Sequence, residues 1–167
     1  MFKQIDFTQV KENVVDLIKN QWGLVCAGDE NGYNMMTVSW GSVGELWGKD
    51  MVSVYIRPER YTDKFVDEND YFTLSFYPEE MKKQIHSVCG SKSGRDVNKT
   101  ELTKLTPVFD DAPYFEQAKL VLICKKMAKS QFDESQFTDK SIKSDWYDGM
   151  GMHYIYYGSI EKVLISE

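Results

Sequence analysis

The chain has 167 residues, the length of one ordinary domain able to bury a core without staples, so a single domain over 1–167 is expected. A formal net charge of −6 and a sequence pI near 5.0 argue against nucleic acid as a partner, because phosphate backbones need a basic face. No apolar run nears the ~20 residues that span a bilayer, and MFKQIDFTQV lacks the apolar core of a signal peptide, so a cytoplasmic protein with no membrane partner is expected.

Asp6 to Asn20 carries Val10, Val14, Leu17 and Ile18 at helical spacing, with Asp6 or Thr8 as N-cap, and predicts a helix packed on the domain. WGLVCA, from Trp22 to Ala27, reads as a buried strand. An Asn31-Gly32 turn then returns the chain into a second strand over Asn34 to Trp40. Alternation there sets Met36, Val38 and Trp40 on one face and Met35, Thr37 and Ser39 on the other. GSVGELWGKD follows as a loop. Its GELWGK segment is too short for a nucleotide-triphosphate loop and has Asp50 where Ser or Thr is needed.

Met51 to Ile56 forms a third strand that runs into Arg57, Pro58, Glu59 and Arg60, and Thr62 opens a short amphipathic helix. YFTLSF, from Tyr71 to Phe76, is a fourth strand closed off by Pro78. Glu79 to Val88 reads as a charged helix with Met81, Ile85 and Val88 inward, His86 at the surface and Gly90 as its stop. GSKSGRDVNKTE is then a polar loop that no core requires, and Leu105 to Pro113 is irregular. Ala118 to Lys126 is a strand, a long polar connection follows, and His153 to Ile165 is the last strand, with Gly158 marking a bend or bulge. These strands lie mostly too close in sequence for parallel crossovers. With an aromatic content of 14%, they give a mainly β protein, a small antiparallel barrel with short helices.

Two histidines and three cysteines show neither CxxC nor HxxxH spacing, so no metal site is expected. Cys26 and Cys124 sit in apolar strands, whereas Cys89, near Lys92 and Arg95, is the one thiol chemistry could use. The strongest site candidate is the pair Arg57 and Arg60 with the Thr62 hydroxyl at a helix start, an arrangement suited to phosphate. The only GxG, Gly149-Met150-Gly151, follows no strand and opens no helix, which argues against a Rossmann-type dinucleotide site. Flavin mononucleotide fits better: one phosphate for the arginines, and a ring with apolar faces for Trp40 and Met36. Trp40 also reads as plain core, and Arg57 and Arg60 as solvated charges pairing with Glu59 or Asp63.

The order N-x-M-T-x-S-W, RPERYT, YFTLSFYP, SGRDVNK and a final His before a tyrosine-rich strand resembles the flavin reductase-like FMN-binding split-barrel family, especially its flavoredoxin-like members. The resemblance runs from Trp22 to Ile165. It implies a six-stranded antiparallel split β-barrel of Greek-key type with a few short peripheral helices, assembled as a homodimer with each FMN near the interface. Asn34, Met36, Thr37, Ser39 and Trp40 would then line the ring and ribityl chain, and Arg57, Arg60, Tyr61 and Thr62 would hold the phosphate end. Lys99 and His153 would reach the flavin from either subunit. The implied activity is an NAD(P)H-dependent flavin reductase, an FMN oxidoreductase taking electrons from NADH or NADPH, with no catalytic acid-base pair of its own. A flavoredoxin-type carrier exchanging electrons with a protein partner is the alternative.

Overall fold

A computed structural model describes residues 1–167. The strands expected from the sequence are β2 (Gly23–Asp29), β3 (Gly32–Val38), β5 (Lys49–Ile56), β6 (Tyr71–Phe76), β9 (Leu120–Gln131) and β10 (Tyr154–Ser166). Two more join them, β1 (Phe2–Ile5) and β4 (Gly41–Leu46). They pair antiparallel in the order β3-β2-β6-β9-β10-β5-β4. The long strand β10 keeps one edge on β9 and divides the other between β5 and β1.

Closure of this sheet follows from chain connectivity. β3 and β4 stand at opposite ends of the strand order, yet only Ser39 and Trp40 link them. Six strand spacings of ~4.8 Å would hold those ends roughly 29 Å apart in a flat sheet, and three Cα steps reach at most about 11 Å. The sheet must therefore roll into a barrel with its seam at Ser39 and Trp40.

Both faces of β2 and of the first part of β9, Leu120 to Cys124, are buried, which is why these stretches read as unbroken apolar runs. Val25, Ala27, Leu120, Leu122 and Cys124 face the barrel interior with Val52, Val54, Ile56, Phe72 and Tyr156. Leu24, Cys26, Val121 and Ile123 face outward into a second cluster, covered by Ile85 and Cys89 of α3 (Lys82–Cys89) and by Tyr114 and Phe115. Val66 of α2 (Tyr61–Glu68), with Leu17 and Ile18, joins the inner cluster. Each fully buried side chain of this size contributes about 1.5–3 kcal/mol.

Several expectations need correcting. Asp6 to Asn20 is not one helix: Val10 is extended, Asn13 caps a fresh start by accepting the Asp16 amide at 3.1 Å, and α1 (Val14–Asp16) widens into a π-helical turn over Leu17–Gln21. The β2–β3 turn sits one residue early. Asp29 pairs with Gly32, its carboxylate accepts the Asn31 and Gly32 amides, and the positive φ of 117° falls on Gly28. GSVGELWGKD is not a loop, since Trp47 and Gly48, at φ 57° and 72°, make a tight primed turn between β4 and β5. The polar loop after α3 contains α4 (Lys99–Thr103), and the irregular stretch beyond it supplies β7 (Pro107–Val108), which pairs with β8 (Tyr114–Phe115). The long connection before β10 contains α5 (Ser141–Trp146). Gly158 does mark a register shift between β10 and β9.

Candidate functional site

The seam residues face a cavity of about 260 Å³. Met36, Thr37, Ser39, Trp40, Arg57, Arg60 and His153 line it together with Val38, Tyr55 and Trp146. Seven expected residues from three separate strands and turns therefore meet in one place.

The two arginines do not pair with acids. Arg57 Nη2 donates to the Trp146 carbonyl at 2.8 Å, its guanidinium lies 5.4 Å from the Tyr147 ring, and Nη1 is buried with no partner. Arg60 donates to the carbonyls of Cys89 (3.0 Å) and Gly90 (3.4 Å), at the negative end of α3. Glu59 instead accepts the Gly151 amide, and Asp63 accepts the Tyr156 hydroxyl, each at 2.7 Å. No carboxylate lines the cavity. Burial, and then Arg57, lower the pKa of Arg60. No side chain caps the start of α2, which follows directly on Arg60 and carries Asp63 in its first turn.

A second, polar cavity of about 530 Å³ is lined by Asn34 and Lys99 with Tyr33, Gly94 and Arg95 among others. Lys99 opens α4 behind the Asn98 cap, is only 4% exposed, and donates to the Met35 carbonyl at 2.7 Å. Burial lowers its pKa. Asn34 Nδ2 donates to Thr62 Oγ1 at 2.8 Å, which ties β3 to the first turn of α2. Tyr61 packs edge-on against Phe65 with the Arg95 guanidinium 4.8 Å from its ring; Tyr61 and Thr62 line neither cavity.

His153 shares a 2.8 Å hydrogen bond between Nδ1 and the Tyr147 hydroxyl, and its ring centre lies 4.9 Å from that of Trp40. Burial, and then the Arg57 guanidinium, lower the His153 pKa, so Arg57→Ala is expected to raise it, as followed by nitrogen chemical shifts. His86 is not at the surface. It is buried, with Nδ1 2.7 Å from Thr37 Oγ1, because α3 turns this face onto β3. Cys89 is likewise fully buried, and desolvation pushes its thiol up to about 11, which removes it as a reactive group.

Burial lowers both histidines from 6.5 to about 4. The unfolded chain takes up these protons first as pH falls, so their contribution to stability is complete above 6.5 and is lost between 6.5 and 4. The urea midpoint is expected to drop across that window, and less steeply in a His86→Gln variant.

Tyr55, Trp146 and Tyr147 were not anticipated from the sequence. The one signal for the last two was an aromatic pair inside the otherwise polar run SDWYDGMG.

Comparison with known proteins gives no significant match among curated proteins. Among solved structures, flavoredoxin from Methanosarcina acetivorans aligns at 21% identity over 88% of this chain and 69% of its own, with a TM-score of 0.69. An FMN-binding domain of a flavin reductases-like enzyme from Shewanella baltica OS155 aligns at 15% identity over 99% and 77%, TM-score 0.70. The Streptomyces globisporus NADH:FAD oxidoreductase SgcE6 aligns at 14% over 87% and 74%, TM-score 0.60. At these identities the likeness is one of fold. A family model described as a flavin reductase like domain matches residues 16–167. That match takes in every strand of the barrel except β1 and every residue lining both cavities, and it makes the chain a member of the flavin reductase-like family.

Proposed function

We propose that the protein is an FMN-binding oxidoreductase of flavin reductase type that passes electrons from NADH or NADPH through FMN to an acceptor. The observation that carries this reading is the arginine pair: two guanidinium groups line a cavity without a carboxylate, and one buried donor, Arg57 Nη1, is unpartnered. Leaving such a donor unpaired costs about 1–3 kcal/mol, and a phosphate oxygen would satisfy it.

The other residues fit the same group. Arg57, Arg60 and the start of α2, with Tyr61 and the Asn34–Thr62 pair beside it, would hold the phosphate end, and the buried Lys99 ammonium adds a further positive charge. Trp40 and Met36 offer apolar surface to a flavin ring, and Thr37 and Ser39 offer hydroxyls to its polar edge. When bound, FMN supplies the hydride and electron transfer. The chain itself binds, orients and shields: Trp40 and Trp146 exclude water, and His153, neutral at pH 7, is held at Nδ1 by Tyr147. A homodimer in which Lys99 and His153 serve either subunit's flavin belongs to the same proposal.

Nicotinamide as donor draws support from the Streptomyces neighbour, described as an NADH:FAD oxidoreductase. The likeness to flavoredoxin favours a second reading, an FMN carrier reduced by a protein partner. Purified protein mixed with FMN is expected to retain a flavin spectrum that bleaches on addition of NADH or NADPH. Bleaching only by a reduced protein donor selects the carrier, and protein that takes up no FMN overturns both.

A further inference from the structure

On the other side of Trp40 lies a larger chamber of about 790 Å³. Its walls are aromatic and aliphatic. Tyr55 stacks on Phe132 with ring centres 5.6 Å apart and planes 2° from parallel, Phe137 stacks on Tyr147 at 5.9 Å, and Val14, Ile18 and Ile142 line other sides, with the exposed Val15 at the rim. Trp40 and Trp146, edge to face at 5.1 Å, wall both this chamber and the arginine cavity.

The two spaces differ in charge. The smaller holds two guanidinium groups, whereas the chamber has a single charged side chain, the exposed Lys19, and no acid. Its remaining polar groups are hydroxyls and one carboxamide, Gln136, enough to meet a carbonyl. A volume within the ~300–1,000 Å³ of small-molecule sites, bounded by one near-parallel ring pair and a second tilted by 25°, suits a flat apolar ligand. A nucleotide fits poorly, since its phosphates would find one ammonium. An inserted protein segment fits poorly too, because so few polar groups would leave its backbone amides unpaired.

We propose that this chamber is a binding site for a flat, uncharged aromatic carbonyl compound, seated among the stacked rings behind Trp40. The site stands on the chamber itself, whether or not FMN occupies the neighbouring cavity.

The test is calorimetric titration of the purified full chain with 2-acetylnaphthalene and with its charged isostere 2-naphthoate. The ketone is expected to bind saturably at one site, with naphthoate at least ~10-fold weaker because a carboxylate is costly to desolvate. Ile142→Glu on α5 and Val43→Glu on β4, both half-buried, are each expected to weaken the ketone by about 10-fold or more for the same reason. FMN uptake by these variants, read from flavin fluorescence, is expected to hold. If one variant fails to fold, the other carries the test. No saturable ketone binding, equal ketone affinity in the folded Glu variants, or tighter naphthoate binding overturns the site. So does a protein that binds ketone only when dissociated from a dimer, which would make a second copy the occupant. Loss of FMN uptake by the unaltered chain bears on the flavin reading alone.

Discussion

Arg57→Ala is expected to weaken FMN binding by roughly 10- to 150-fold, because a charge-assisted contact contributes about 1.5–3 kcal/mol. The folded state should notice the change far less. The substitution removes a buried donor that has no partner and gives up one bond, to the Trp146 carbonyl. Arg57→Lys keeps the charge but loses the planar fork that can hold the Trp146 carbonyl with one nitrogen and an anion with the other, so intermediate affinity is expected. Arg60→Ala should differ in kind. Arg60 grips two carbonyls at the end of α3, so this variant is expected to lose thermal stability along with flavin affinity. Flavin fluorescence titration beside thermal unfolding separates the two arginines, and unchanged FMN affinity in Arg57→Ala would remove that residue from the site.

Gly158→Ala is expected to destabilise the barrel by overpacking its core. A Cβ at this position would lie 2.6 Å from the Phe72 ring and 2.8 Å from Cys124 Cβ, both fully buried, so neither can retreat into solvent. Overpacking of this kind costs about 1–3 kcal/mol; for a chain of this length that corresponds to a fall in melting temperature of roughly 2–10 °C. Gly44→Ala, where a Cβ meets nothing within 4 Å, is the matched control. An unchanged midpoint in Gly158→Ala would mean that the register shift beside it can relax.

The barrel strands were legible because their composition answers to burial. β2 and the start of β9, Leu120 to Cys124, are apolar on both faces since both faces are covered, and β10 betrays its irregularity by a glycine among tyrosines. The arginine turn was legible for a different reason: two cations directly after a strand are not something a core requires. What escaped depends on distant packing. His86 looks like a surface residue because helical position describes an isolated segment, and only the docking of α3 against β3 buries it. β4 reads as a loop because its glycines hide the strand pattern, and nothing local announces that Trp47 accepts a positive φ. Trp146 and Tyr147 are not legible locally because their partners, Trp40, Arg57 and His153, are remote except for the last.

The two-residue stitch at Ser39 and Trp40 makes the candidate pocket depend on an intact covalent thread. The sheet's terminal strands, β3 and β4, share no ladder with each other, so the peptide bonds there keep them together. A nick or circular permutation opened at this point would free the rim to splay and spoil the pocket while most pairing survived. New termini at Glu30 and Asn31 would leave the rim sewn, because there β2 and β3 remain zipped along their whole length. Cofactor retention in two such permutants would therefore diverge although their hydrogen-bonded framework is the same.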